Sequence, residues 1–174
     1  HVLQTWEWGE FKYKTTGWLP HRWLFKRDGD VVAMCSMGER KLGIFSVMYA
    51  PKGPAMDYSD TTLVAEVLTL LKQKAREHRA IWLKIDPDIA YAVGVPDTED
   101  DEHVEIGQAV KIMLKKNGWQ FSDEQIQFRN TVTIDLRQAE DDILMAMSGN
   151  TRRKVRQAAK KDVSIRAASI DDLD

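Results

Sequence analysis

Read in order, the hydrophobic patterning of this 174-residue sequence predicts an α/β domain built on a mixed sheet. Three observations carry that class. An early pair of strand-like segments is joined by Asp28-Gly29-Asp30, whose Asp-Gly step is a strong hairpin signal. A helical stripe then leads into a short apolar run, residues 81–85, without polar alternation, of the kind found in parallel strands. Further strand and helix signals alternate toward the end.

Residues 4–14 carry Trp8, Phe11 and Lys12 at spacings of three and four, which predicts a short amphipathic helix ended by Gly17. Residues 22–27, 31–37 and 43–50 predict three successive antiparallel strands. After the turn-rich Pro51-Lys52-Gly53-Pro54, Ser59 or Asp60 caps a helix reaching about His78, with Leu63, Val64, Val67, Leu68 and Leu71 as its buried stripe. Residues 81–85 read as a strand covered on both faces, and Asp86-Pro87 ends it. The acidic stretch after Pro96 is a solvated loop. Residues 103–116 form a second amphipathic helix with Val104, Val110, Met113 and Leu114 inward, closed by Gly118. Residues 119–121 and 128–136 are expected to be strands. Ile143, Leu144 and Met147 then line a helix closed by Gly149. Residues 151–161 make a basic helix with Val155, Ala158 and Ala159 as a thin apolar seam, and residues 163–167 can form a further strand.

With 43% hydrophobic and 30% charged residues the chain can bury a core, which excludes intrinsic disorder and low-complexity classes. The longest apolar stretch, residues 42–51, is broken by Gly43 and Ser46 and falls well short of the roughly 20 residues of a membrane-spanning helix. A soluble, cytoplasmic chain with at most peripheral membrane contact is expected, since no export signal is seen and Cys35, the single cysteine, cannot form an internal disulfide. The formal charge of −2 argues against wholesale coating of nucleic acid, and no DNA partner is expected. The closing Ile170-Asp171-Asp172-Leu173-Asp174 reads as the opening of a helix, so the chain has the look of a fragment.

No phosphate-binding glycine loop, dinucleotide fingerprint or Cys/His cluster at metal spacing is present, and no metal site is expected. The four histidines (His1, His21, His78, His103) fall in unrelated contexts. Cys35 reads as buried filler. Lys12, set among Trp8 and Phe11, can offer a compact cation to a phosphate or be an ordinary solvated lysine. Trp18 can be a ring platform or a packing residue. Asp86, where a buried strand ends, can orient a ligand or cap a turn. Arg152, Arg153, Lys154 and Arg156 in the basic helix can track RNA phosphates or simply face water.

At Gln4-Thr5-Trp6-Glu7-Trp8-Gly9-Glu10-Phe11-Lys12 the sequence resembles the FemABX family of peptidoglycan interpeptide-bridge aminoacyltransferases. Further strings in family order are Tyr49-Ala50-Pro51-Lys52-Gly53-Pro54 with Asp57 after it, Leu83-Lys84-Ile85-Asp86-Pro87, and residues 131–136 leading into Thr151-Arg152-Arg153-Lys154-Val155-Arg156. The resemblance spans nearly the whole chain and matches the family's amino-terminal half. It implies a GNAT-like fold, with a mostly antiparallel mixed sheet flanked by helices, in two copies. Residues 1–127 would be the first copy, and residues 128–174 the opening strand and helices of a truncated second.

The resemblance further implies transfer of an amino acid from aminoacyl-tRNA to the stem-peptide amine of a nucleotide- or lipid-linked muropeptide, without coenzyme A or another cofactor. The chain agrees in lacking the pyrophosphate loop of coenzyme-dependent relatives. By the same resemblance Lys12 matches a lysine associated with the precursor's phosphates, and Asp86 matches an aspartate near the acceptor site, taken here as a positioning group. The catalytic groups would lie in the second copy, and none is assigned in this chain; the fragment alone is expected to be inactive. Two alternatives stand beside this one: a muropeptide- or tRNA-binding module without catalysis, and a coenzyme A-dependent N-acyltransferase.

Overall fold

The computed structural model describes the chain apart from residues 96, 97, 162, 168, 170, 171, 173 and 174. It divides into two compact units, His1–Gln127 and Phe128–Asp174. In the first, a 3-10 turn (Val2–Gln4) leads into α1 (Trp6–Thr16), capped by the Thr5 hydroxyl and ended by Gly17 in the left-handed conformation. Next come β1 (Leu19–Arg27), β2 (Asp30–Leu42), β3 (Phe45–Ala50), the short β4 (Ala55–Met56), α2 (Thr61–Glu77) and β5 (Ala80–Ile85).

The β1–β2 hairpin turns on Asp28 and Gly29, both at positive φ (53° and 96°), as a tight two-residue turn demands. Asp60 starts α2 by accepting the Leu63 amide at 2.9 Å. The sheet runs β1-β2-β3-β5, with β4 also on β2; all pairs are antiparallel except β3 with β5, which the α2 crossover makes parallel. This is the mixed, mostly antiparallel sheet flanked by helices that was expected.

Strand alternation assigns the two faces. Ala33, Cys35 and Met37 of β2, with Met48 and Ala50 of β3, pack against the buried stripe Leu63, Val67 and Leu71 of α2. The opposite face of β1 and β2 is covered by α1: a Cβ on Gly9 would stand 2.7 Å from Arg22 and 3.1 Å from Pro20. Beyond β5, β6 (Ala92–Val93) and β7 (Glu102–His103) make a small ribbon, and α3 (Glu105–Lys116) buries Val110. In the second unit α4 (Glu140–Ala146) and α5 (Gly149–Lys160) adjoin at Ser148, whose hydroxyl caps α5.

Several expectations are corrected. The β5 strand is not covered on both faces: Ile81 and Trp82 are 60% and 42% exposed, because β5 ends the sheet and two of its apolar side chains face outward. Residues 119–121, 128–136 and 163–167 are not strands. An extended segment needs a neighbouring ladder for its amides and carbonyls, and the second unit holds no strand pair among the described residues. Gly149 opens α5 instead of closing α4, since Ser148 just before it supplies a capping hydroxyl. The acidic stretch is a loop only in part, because Glu102 and His103 pair with β6; Asp97 lies outside the described residues, as does the expected closing helix apart from Asp172.

Candidate functional site

The carboxyl ends of the two parallel strands, β3 and β5, lie side by side, with Tyr49 opposite Lys84 and Ala50 opposite Ile85. Open α/β sheets gather ligands outside such ends. Asp86 follows directly, its amide bonded to the Ala50 carbonyl at 3.1 Å and its Oδ2 accepting a long 3.4 Å bond from the Tyr49 hydroxyl. Burial, opposed by a hydrogen bond from Gln127 and aided by the Asp86 charge, pushes the Tyr49 phenol up to about 12. Tyr49 therefore stays a neutral donor toward the carboxylate. Nearby, Lys52 reaches Asp88 at 3.5 Å, and Lys84 bonds the Ser122 hydroxyl at 3.0 Å, anchoring the segment after α3 over this face.

Register extends the site sideways. Tyr49 pairs with Gly38 of β2, and Trp18 packs against Gly38, where an added Cβ would meet its ring at 3.0 Å. Trp18, Gly38, Tyr49 and Asp86 thus form a row across the face that α1 shares. Trp18 is half-buried. Lys12 sits on α1, one turn beyond half-buried Trp8; its ammonium has no hydrogen bond or ion pair among the described residues. The structure brings Trp18 toward Asp86 through Tyr49. It leaves Lys12 on the neighbouring helix, without contact to Asp86.

A second constellation lies on the α2 face. Alternation continues the core series Ala33, Cys35, Met37 into Glu39, so a carboxylate is carried inward and is only 1% exposed. Its Oε2 receives His21 Nε2 at 2.8 Å and faces His78 Nδ1 at 3.3 Å; its Oε1 takes the Lys41 ammonium at 2.5 Å. Burial acts to raise the Glu39 carboxyl, but hydrogen bonds led by those from Lys41 and His21 outweigh it and hold it at about 2. Burial lowers His21, with the Glu39 hydrogen bond opposing. The two imidazoles meet edge to face at 4.4 Å, and His21 stacks on Trp23 at 5.6 Å. The histidines therefore do not all fall in unrelated contexts, and a His/Glu group with metal-compatible spacing exists. One signal for it was present: Glu39 continues the every-second-residue core series. The meeting with His78 depends on where α2 ends.

In the second unit Arg153, Arg156 and Lys160 line one open concavity with Gly149 and Gln157. Arg152 lines it too, but its guanidinium is committed to the Met145 and Met147 carbonyls at 2.8 and 2.6 Å, closing α4. Lys154 is exposed and does not line that concavity.

A match to the FemAB family runs over residues 1–174. The chain belongs to the FemAB family. This FemAB chain is 28% identical over 169 residues to "Lipid II:glycine glycyltransferase" of Staphylococcus aureus, covering 94% of itself and 38% of that relative. The protein of the same name from strain MRSA252 gives the same identity and coverage. Among solved structures, FemX superposes with a TM-score of 0.68 at 25% identity, over 92% of this chain and 39% of FemX. The chain thus spans about two fifths of the length of these relatives, and the mixed α/β fold is one it shares with FemX. No helix among the described residues is long and apolar enough to cross a membrane.

Proposed function

We propose that this FemAB chain is part of an aminoacyltransferase that moves an amino acid from aminoacyl-tRNA to the stem-peptide amine of a peptidoglycan precursor, on the cytoplasmic side and without a bound cofactor. The observation that carries this is the family match along all 174 residues, joined to relatives named for glycyl transfer to lipid II. The row Trp18, Tyr49 and Asp86, beside a lysine on α1 without an ion pair among the described residues, supports it as an acceptor surface.

In this reading the neutral acceptor amine attacks the aminoacyl ester, the ester carbonyl becomes a tetrahedral oxyanion, the carbon–oxygen bond to the tRNA breaks with its electron pair going to the tRNA oxygen, and the proton lost by the new amide nitrogen converts that oxygen to a hydroxyl. The residues in hand bind and orient. Lys12 faces the precursor's phosphates, Trp18 offers its ring, and Asp86, held by Tyr49, orients the peptide end. Correct placement of two large substrates supplies several kcal/mol on its own. Arg153, Arg156 and Lys160 offer a phosphate-binding face for the tRNA.

The test is calorimetric binding of a nucleotide-linked muropeptide, with acetyl-coenzyme A as the competing ligand. Muropeptide is expected to bind, and Lys12→Ala to weaken it about tenfold, the size of one charge-assisted contact, while the melting temperature holds. Stabilisation by acetyl-coenzyme A alone would replace this reading with a coenzyme-dependent acyltransferase. Unchanged affinity in Lys12→Ala would remove that residue from the site.

A further inference from the structure

The cluster around Glu39 has no part in the proposed transfer, yet it gathers three side chains with metal-ligating atoms within 4.8 Å of one another. Three elements converge on it: β1 through His21, β2 through Glu39, and the residue that ends α2, His78. We propose that His21 Nε2, His78 Nδ1 and Glu39 Oε2 form a binding site for a divalent transition cation of the zinc class.

The geometry is that of ligands already gathered. In a tetrahedral zinc site with bonds of about 2.0–2.1 Å, neighbouring ligand atoms stand roughly 3.3 Å apart. Here the carboxylate oxygen lies 2.8 Å from one imidazole nitrogen and 3.3 Å from the other, and all three ligand atoms fall within 4.8 Å of one another. A small separation of the three side chains admits the ion. Each neutral ring then carries its hydrogen on the nitrogen turned away from the carboxylate, and the liganding lone pairs face inward.

The donor set is chemically selective. Two imidazoles and one carboxylate suit zinc, and also cobalt or nickel, over calcium or magnesium, which prefer oxygen alone. The carboxylate is orientated by a group outside the triad: Lys41 holds Oε1, leaving Oε2 for the ion. Ser46, fully buried, bonds the His78 carbonyl at 2.9 Å and fixes the backbone that carries that ring. The side chains of His21 and His78 are 18% and 29% exposed, so an ion has a way in and water can fill its remaining position. Lys41 also brings a positive charge close by, which opposes a cation; the structure therefore implies a site of moderate affinity that sharpens when that charge is removed. Bound there, the ion would pin the end of α2 to the β1–β2 hairpin.

The experiment titrates Zn²⁺ alone into the 174-residue chain by calorimetry, and Co²⁺ alone with visible spectroscopy. One saturable equivalent, tetrahedral cobalt bands displaced by zinc, and a rise in melting temperature with zinc are expected. His78→Ala should weaken binding at least tenfold, Lys41→Met should tighten it, and His1→Ala should leave it unchanged. In the unsubstituted chain the ring resonances of His21 and His78 should shift together on adding zinc, which keeps the test independent of how any variant folds. No binding, binding insensitive to His78→Ala, or binding lost with His1→Ala instead would overturn the site. None of these outcomes touches the muropeptide assay, so the two readings stand or fall separately.

Discussion

Gln4 occupies a hole in the sheet, and filling that hole has a calculable worth. On the side of β2 away from β1, pairing with β3 stops at Gly38 and pairing with β4 resumes at Met34, so Ser36 has no strand opposite it there. The Gln4 side-chain amide stands in for the missing strand. It donates to the Ser36 carbonyl at 3.0 Å, accepts from the Ser36 amide at 2.9 Å, and donates to the Pro51 carbonyl at 2.6 Å, all while only 5% exposed. Gly53 is the other wall: a Cβ there would lie 2.5–2.7 Å from the amide's nitrogen, carbon and oxygen. Gln4→Ala strands a buried amide and two carbonyls, and at about 1 kcal/mol per lost bond it should cost roughly 3 kcal/mol. Gly53→Ala should cost nearly as much by expelling the same amide. The decisive measurement is the double-mutant cycle, read by urea unfolding with tryptophan fluorescence; all six tryptophans lie within the first unit, so the signal reports that unit alone. If both changes act through one amide, Gly53→Ala should add less than about 0.5 kcal/mol in the Gln4→Ala background. Additive costs would refute the reasoning.

The Cys35 thiol, 1% exposed and pushed up to about 12 by burial, should resist alkylation in the native protein and react fully in denaturant; rapid native labelling would contradict its placement. Tyr49, raised to about 12 from an ordinary phenol's 10, contributes stability that is complete below pH 10 and is lost as pH rises through 12. Alkaline melts of Tyr49→Phe should therefore show a flatter decline over that range, by roughly 2 kcal/mol across it. In α5, Arg156→Ala should reduce RNA affinity and its salt slope without altering helicity, whereas Arg152→Ala should also lower the helical signal, because it removes the closure of α4. Equal effects on both readouts would show that Arg152 is not a closing residue.

Local signals carried much of this fold. Asp28-Gly29 announced its turn because left-handed backbone at both positions suits few residue pairs, and the α2 stripe was visible because a helix on a sheet must repeat its apolar face. What local pattern misstates is what lies beside a strand. Residues 81–85 look doubly covered, yet burial depends on strand order, and β5 ends the sheet. At the site, Asp86 was marked by the Pro that follows it and Lys12 by its aromatic neighbours. Tyr49 stood inside a quoted motif, but its bond to Asp86 exists only because a crossover sets two distant strands in parallel. The Glu39 cluster shows the same limit: residues 21, 39 and 78 meet through three separate elements, and no spacing in the sequence encodes that.

The placement of Lys12 and Asp86 constrains the kind of ligand that could use both. The α1 helix rests on β1 and β2, whereas Asp86 closes β5, the last strand in the order β1-β2-β3-β5. At about 4.8 Å per strand, two and a half spacings separate them across the sheet, or roughly 12 Å. An extended chain covers about 3.4 Å per residue, so a ligand gripped at both ends would need about four residues' length between its phosphate and the group that the proposed reading gives to Asp86. A small acyl acceptor is too short to feel both residues, whereas a phosphate-linked stem peptide is long enough. The rigid sheet between the two contacts makes them independent in energy. Shortening the ligand from the peptide end should therefore abolish sensitivity to Asp86→Asn while leaving the effect of Lys12→Ala intact.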